Sequence, residues 1–378
     1  MTDYANRALL PGGLRDLLPP DAAFEASVVS GVMTHFAAHG YERVKPPLIE
    51  FEESLLDGAG AATSSHTFRV MDPLSQRMMG LRADMTPQVA RIATTRLAQE
   101  PRPLRLSYAG QVLRVKGTQL RPERQFGQAG IELIGSDSPA ADAEILVLSA
   151  ESLMVLGVPG VSVDLALPTL VPVLFAELGI TGALAERMRA ALDHKDTAMV
   201  ADAGEATPLL RALIAAAGPA DRAIAALKAL ALPPAAAQER DRLSRVVDLV
   251  RADLPGLALT VDPVENRGFE YHTGVGFTLF ARNIGAELGR GGRYLAGGSE
   301  PATGATLFMD SVLSALSRPK AKARVLVPPG TPRATAQAIR DRGFVTVAGL
   351  EPDSASTAEA KRLGCGHLLG ADGIVEIH

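Results

Sequence analysis

The chain has 378 residues, 47% of them hydrophobic and 21% charged, close to a soluble globular average and against wholesale disorder. Lys plus Arg is 38 and Asp plus Glu is 42, a net charge of −4 that gives no support to nucleic-acid binding through a broad basic surface and leaves room only for a local patch. A single cysteine, Cys365, excludes an intrachain disulfide and a multi-cysteine zinc site, and the length is that of two or three domains.

Met1–Arg7 has no basic segment leading into an apolar one, so no secretory signal is expected. The most apolar stretch, Leu165–Ile180, is broken by Pro168, Pro172 and Glu177 and falls short of the about 20 residues of a membrane span. A cytoplasmic chain is expected. Pro19-Pro20-Asp21 opens a predicted helix whose Phe24, Val28, Val32 and Phe36 form one apolar face, with Gly40 as its stop. A short strand, Tyr41–Val44, follows. Leu81–Pro87 reads as a strand end running into a helix, with Thr86 as N-cap and Pro87 in the first turn.

Two antiparallel strands are predicted next, Leu104–Val115 and Gln125–Ile134, joined by a mobile loop, Lys116–Glu123. In the second, Ala129, Ile131 and Leu133 point one way and Gln128, Gly130 and Glu132 the other. A helix over Ser138–Val158 and a strand over Val161–Leu167 come before a long helical stretch, residues 168–256, whose alanine-rich part reads as a structural insertion. Strands are predicted at Leu257–Asp262, Val275–Arg282 and Ala286–Gly289. A glycine-rich turn over Gly289–Gly298 leads to a strand at Thr303–Met309. After a linker at Arg318-Pro319-Lys320, a βαβαβ pattern runs from Arg324 to Ile377, a small α/β appendage. The expected domains are 1–317 and 318–378.

Several chemistries are set aside. There is no GxxxxGK[ST] and no HExxH motif. His35 and His39 have helical i, i+4 spacing, but without a carboxylate or cysteine ligand nearby in sequence they read as solvent-facing, so no metal is expected. Cys365 reads as a small packed residue. Four places carry polar groups suited to a free amino acid: Asp84 with Thr86; Arg114, Gln128 and Glu132; Arg267 with Tyr271 and His272; and Gly291–Tyr294. Taken singly each has a plain alternative, with Glu132 an exposed strand residue, Arg267 a surface cation and Tyr271 partly buried packing.

At these residues the chain resembles the catalytic core of histidyl-tRNA synthetases, from Pro11–Asp16 to about Leu316. Leu81–Thr86 resembles the family's LRPE-x-T segment. Tyr108–Arg114 through Arg124–Glu132 resembles its second motif, and Arg267–Tyr271 with Gly291–Tyr294 its two histidine-recognition segments. The resemblance implies an α+β fold: a class II aminoacyl-tRNA synthetase-like antiparallel sheet flanked by helices, with a helical insertion and a small C-terminal α/β domain. It also implies a dimer formed through the first motif, at Pro19–Glu50.

The departures bear on function. Where the class carries a pattern close to GxxxGxER, this chain has Gly304–Ser311, so Ser311 stands at the phosphate-gripping arginine and Phe308 at the second glycine. A serine hydroxyl cannot replace a guanidinium that bridges phosphate oxygens. Lys116 stands at the usual acid two residues after Arg114, and the C-terminal appendage is shorter than the family's anticodon-binding domain. An amino-acid pocket kept beside a nucleotide pocket lost resembles the regulatory subunits of ATP phosphoribosyltransferase, synthetase paralogues of histidine biosynthesis. The resemblance implies a chain with no catalytic residues or cofactor, partnered by a short-form catalytic subunit and bound by L-histidine as effector. It further implies that Glu132, Asp84 and Thr86 hold the ammonium side and Arg114 or Gln128 the carboxylate side. Arg267, Tyr271, His272 and Tyr294 would then surround the imidazole. An active histidyl-tRNA synthetase, or an assembly scaffold that senses nothing, are the alternatives.

Overall fold

The alternation along residues 125–134 is realised as a strand buried on both faces, and the rest of the molecule is arranged around it. The computed structural model describes residues 9–56, 58–117, 122–266, 271–351 and 354–377. The strands are β1 (Glu42–Arg43), β2 (Ile49–Phe51), β3 (Phe68–Met71), β4 (Met78–Leu81), β5 (Leu104–Leu113), β6 (Gln125–Ile134), β7 (Ser162–Ala166), β8 (Gly218–Pro219), β9 (Ala258–Asp262), β10 (Gly276–Phe280), β11 (Gly289–Ala296) and β12 (Glu300–Phe308). Nine of them form one sheet in the order β1-β5-β6-β12-β11-β10-β7-β9-β8. Only the β1–β5 and β7–β9 pairs are parallel, so the centre of the sheet is antiparallel. A second sheet, β2-β4-β3, stands apart from it.

The two faces of β6 divide the labour. Ala129, Ile131 and Leu133 pack into a large core with Val28, Val32 and Phe36 of the helix Asp21–Ala38 and with Ile145 and Leu146 of the helix Pro139–Val155. Both helices follow the expected pattern. Gly40 takes a left-handed φ of 81° just past the first, and Ser138 caps the second by accepting from the Ala140 N–H at 3.2 Å. The helices Leu170–Leu178, Gly182–Asp193, Thr207–Ala216, Ala220–Lys228 and Pro234–Asp253 realise the expected helical stretch, interrupted only by the two-residue β8 among regular strands.

Three expectations are corrected. Gly289–Gly298 is not a turn. It is mostly β11, pairing with β12 from Gly289↔Leu307 to Ala296↔Glu300, and only Gly297 and Gly298 turn, both with positive φ. Its glycines lie where neighbours press close: a Cβ on Gly292 would meet the His272 ring at 2.5 Å. Thr86 is not an N-cap either. It begins the helix Thr86–Thr95 and gives its hydroxyl to another partner, described below. In the second compact unit, from Arg318 onward, the expected last strand is a hairpin. There β13 (Arg324–Val327), β14 (Val345–Ala348), β15 (His367–Gly370) and β16 (Gly373–Glu376) form a sheet in the order β14-β13-β15-β16, with β15 and β16 antiparallel. Leu326, Ala360 and Cys365 pack together there, so the cysteine is a core residue as read from the sequence.

β11 is fastened to the helix Pro139–Val155 by an ion pair that carries no ligand chemistry. The Arg293 guanidinium, 3% exposed, meets Asp142, also 3% exposed, at 2.7 Å and donates to the carbonyls of Ser136 and Ser138 at 2.9 and 3.1 Å. Breaking a buried pair outright typically costs about 3–5 kcal/mol, but Asp142 also holds Arg242 at 3.1 Å, so the carboxylate left by removing Arg293 keeps one guanidinium and the cost falls below that range. Arg293→Met, which also strips the Ser136 and Ser138 carbonyls of their donor, is therefore expected to lower stability by about 2 kcal/mol. Adding Asp142→Leu should return part of that loss in urea unfolding, since Arg242 keeps Asp137 at 3.2 Å, whereas simply additive losses would contradict the assignment.

Candidate functional site

On the other face of β6, Gln128, Gly130 and Glu132 look toward the helix Thr86–Thr95. Sheet register sets what stands beside Glu132. It lies opposite Leu106 on β5 and Gly304 on β12, and the same row continues to Gly292 and Gly276. Three glycines in a row across three strands leave a trough in the sheet surface. Two side chains occupy it: the Glu132 carboxylate lies over Gly304 and the His272 ring over Gly292.

Glu132 is fully buried, which rules out its plain reading as an exposed strand residue. Its carboxylate accepts from the hydroxyls of Thr86 at 2.9 Å, Tyr294 at 2.9 Å and Tyr108 at 3.3 Å. Tyr108 also shares hydrogen bonds with Thr86 at 3.1 Å and with Thr306 at 2.6 Å. Burial pushes the Glu132 carboxyl up to about 8, against the pull of the Thr86, Tyr294 and Tyr108 hydroxyls. Burial raises the Tyr108 and Tyr294 phenols too, and the nearby Glu132 carboxylate adds to this in both. The result is a water-excluded acid ringed by hydroxyls. Tyr271 meets Tyr294 edge-on, with centroids 6.4 Å apart at 74°, and His272 lies 4.2 Å from Tyr271.

Asp84 and Gln128 form a second group. The Met85 N–H is shared between Asp84 Oδ1 at 2.9 Å and Gln128 Oε1 at 3.1 Å, which brings the acid and the amide side by side. Arg114 stands further along, just past the end of β5, where its Nε donates to the Ala83 carbonyl at 3.3 Å and its guanidinium lies 5.0 Å from the Phe126 ring centre. The structure thus places Glu132, Thr86, Tyr294, Tyr271 and His272 together, Asp84 and Gln128 next to them, and Arg114 apart. Arg267 lies outside the described residues. Sequence reading gave no role to Tyr108, Thr306 or Gly304. Strand alternation is the signal for them, since Tyr108 shares a face with Gly110 and Thr306 with Gly304.

Beyond the second group, Phe308 is paired in register with Gln128 and buried. It packs with Met85, Val112 and Phe126, its ring edge-on to Phe126 at 6.1 Å and 77°. A glycine here would leave that volume open. Ser311, in the helix Met309–Ala315, is buried as well.

Residues 13–312 match the family profile described as histidyl-tRNA synthetase. An ATP phosphoribosyltransferase regulatory subunit from Paramagnetospirillum magneticum is 75% identical over 378 residues, all of both chains. The chain belongs to the family of ATP phosphoribosyltransferase regulatory subunits. A regulatory subunit from Rhodospirillum centenum is 59% identical over 372 residues, 98% of this chain and 96% of that one. Among solved structures, one from Bacillus halodurans C, described as an ATP phosphoribosyltransferase regulatory subunit/histidyl-tRNA synthetase, has a TM-score of 0.80 at 22% identity, covering 94% of this chain and 96% of its own. A histidyl-tRNA synthetase from Nostoc sp. PCC 7120 has a TM-score of 0.78 at 19% identity, covering 96% and 92%. Both establish the class II synthetase-like fold for this regulatory-subunit chain. Among its described residues no helix is long and apolar enough to cross a membrane.

Proposed function

We propose that this chain is a non-catalytic regulatory subunit of an ATP phosphoribosyltransferase, which binds free L-histidine in the trough beside Glu132 and conveys feedback inhibition to a separate catalytic subunit. The observation that carries the reading is the pairing of a hydroxyl-ringed buried acid with a phenylalanine in the space next to it. The first suits a small polar metabolite and the second crowds a nucleotide. Feedback of this kind needs a coupling of about 1–3 kcal/mol between histidine and one state of the complex.

The contacts among these residues support an order for the ligand. Tyr294, expected at the imidazole, donates directly to Glu132, expected at the ammonium, and this contact favours placing both at one end of the ligand. We therefore assign Glu132, with Thr86, Tyr294, Tyr271 and His272, to the imidazole end. The adjoining Asp84 and Gln128 take the ammonium. The carboxylate then points toward Arg114. Arg267 keeps its place in this proposal by resemblance alone.

An active synthetase is the competing reading that the family profile favours. Calorimetric titration of the whole chain with L-histidine, together with histidine-dependent ATP–pyrophosphate exchange, separates the two. Heat of binding without exchange is expected, with affinity lowered about 10- to 100-fold in Glu132→Ala by leaving a buried imidazole nitrogen without its hydrogen-bond partner. Exchange above background would overturn the non-catalytic assignment. No binding at millimolar histidine, alone or with the catalytic subunit, would leave an assembly scaffold.

A further inference from the structure

The helix Asp21–Ala38 lies against the helix Pro139–Val155, and at the end of their seam the fold brings His35 and Glu151 together with His39, just past the first helix. By sequence the two histidines read as solvent-facing for want of a third ligand. The neighbouring helix supplies one. One ligand atom from each residue lies within 4.8 Å of the other two, and His35 Nε2 is 3.9 Å from a Glu151 carboxylate oxygen.

Two details point to a ligand. His35 Nε2 is buried and has no hydrogen-bond partner among the described residues, a costly state for a ring nitrogen. His39 Nδ1 lies 2.9 Å from the His35 carbonyl oxygen. That carbonyl can only accept, so Nδ1 carries the proton and the His39 Nε2 lone pair is left free. Fixing one ring nitrogen on a carbonyl is how metal-ligating histidines are oriented. Glu144, on the same helix as Glu151, is already engaged by Tyr41 at 2.8 Å and Arg105 at 2.8 Å, which leaves Glu151 as the available carboxylate.

We propose that His35, His39 and Glu151 form a site for a divalent transition metal of the zinc class, which ties the two helices together. Two imidazole nitrogens and one carboxylate oxygen match zinc, whereas magnesium and calcium prefer oxygen alone. Bonds of about 2.0–2.2 Å require the three donors to close in from their present spread. The exposed His39 and the Glu151 side chain, 33% exposed, have room to make that movement.

The test uses the full chain, stripped with chelator and titrated with zinc chloride by calorimetry, with cobalt(II) absorption as a second readout. One equivalent should bind with a dissociation constant of about 1 µM or lower, a tetrahedral cobalt band should appear, and zinc should raise the melting temperature. His39→Ala and Glu151→Gln should each weaken zinc about tenfold or more while leaving the metal-free melting temperature unchanged. His194→Ala, at a histidine outside the cluster, should change nothing. The proposal fails if the wild type binds no zinc in this range. It fails equally if zinc binds as well to His39→Ala and Glu151→Gln as to the wild type, because the ion would then sit adventitiously elsewhere.

Discussion

Replacing Glu132 by glutamine is expected to stabilise the protein at neutral pH and above while giving no advantage at about pH 5. The sign follows from the direction in which burial moves the carboxyl. Burial raises it in the folded state from the ordinary 4.5 to about 8, so between those values the folded protein holds a proton that the unfolded chain has lost. Stability contributed by the protonated form is whole below the unfolded value and drains away as pH rises through the folded one. Each pH unit between the two values corresponds to about 1.4 kcal/mol, so the wild type should lose about 4–5 kcal/mol from this group across the window. Glutamine does not titrate. It can still accept from Thr86 or Tyr294 through its carbonyl oxygen, while its amide N–H requires a neighbouring hydroxyl to turn and accept, a cost that does not vary with pH. The measurement is urea unfolding of both proteins at several pH values between about 5 and 8. Their difference should climb by about 1.4 kcal/mol per pH unit in favour of glutamine. A difference that stays level would mean that Glu132 ionises like an exposed acid, and the proposed imidazole subsite would lose its buried acid.

Glu132 also shows what a sequence discloses and what it withholds. Period-two alternation over residues 128–133 was enough to put Gln128 and Glu132 on one face and Ile131 and Leu133 on the other, because side-chain direction in a strand is a local property. The apolar face of the helix Asp21–Ala38 was legible for the same reason. Nothing local says that Gly304 lies opposite Glu132, since that follows from the pairing of β6 with β12 across a gap that contains the whole helical insertion. The same gap hid Thr306, which reaches Tyr108 only through that register. Gly289–Gly298 misled because glycine marks turns when read along a chain. Here several of its glycines are spaced to let side chains from other elements approach a strand. Thr86 misled in a related way: its residue type suits a helix cap, but here it lies inside the first turn and its hydroxyl donates to a buried carboxylate that only the tertiary fold brings within reach. The resemblance to a family supplied residue roles that spacing could not. It did not supply their mutual arrangement, such as the hydrogen bond between Tyr294 and Glu132.

Gly304→Ala should be among the most damaging single-methyl additions in the molecule, and its cost should depend almost entirely on Glu132. A Cβ on Gly304 would overlap the Glu132 carboxylate. Elsewhere the flexible end of a glutamate could swing aside. Here it is held by Thr86, Tyr294 and Tyr108 in a fully buried position, so moving it breaks those hydrogen bonds and strands polar atoms. Overpacking with the loss of such bonds is expected to cost about 2–4 kcal/mol and to abolish histidine binding. In a Glu132→Ala background the obstruction is gone. Alanine is then the better strand residue by about 0.5–1 kcal/mol, so the same substitution should become neutral or stabilising. Sign reversal between the two backgrounds, measured by urea unfolding of the four proteins of the cycle, isolates the contact from any general intolerance of β12 to substitution. Equal costs in both backgrounds would place the methyl group against something other than the carboxylate. The trough would then not be the space that the glycine row keeps open for Glu132 and a ligand.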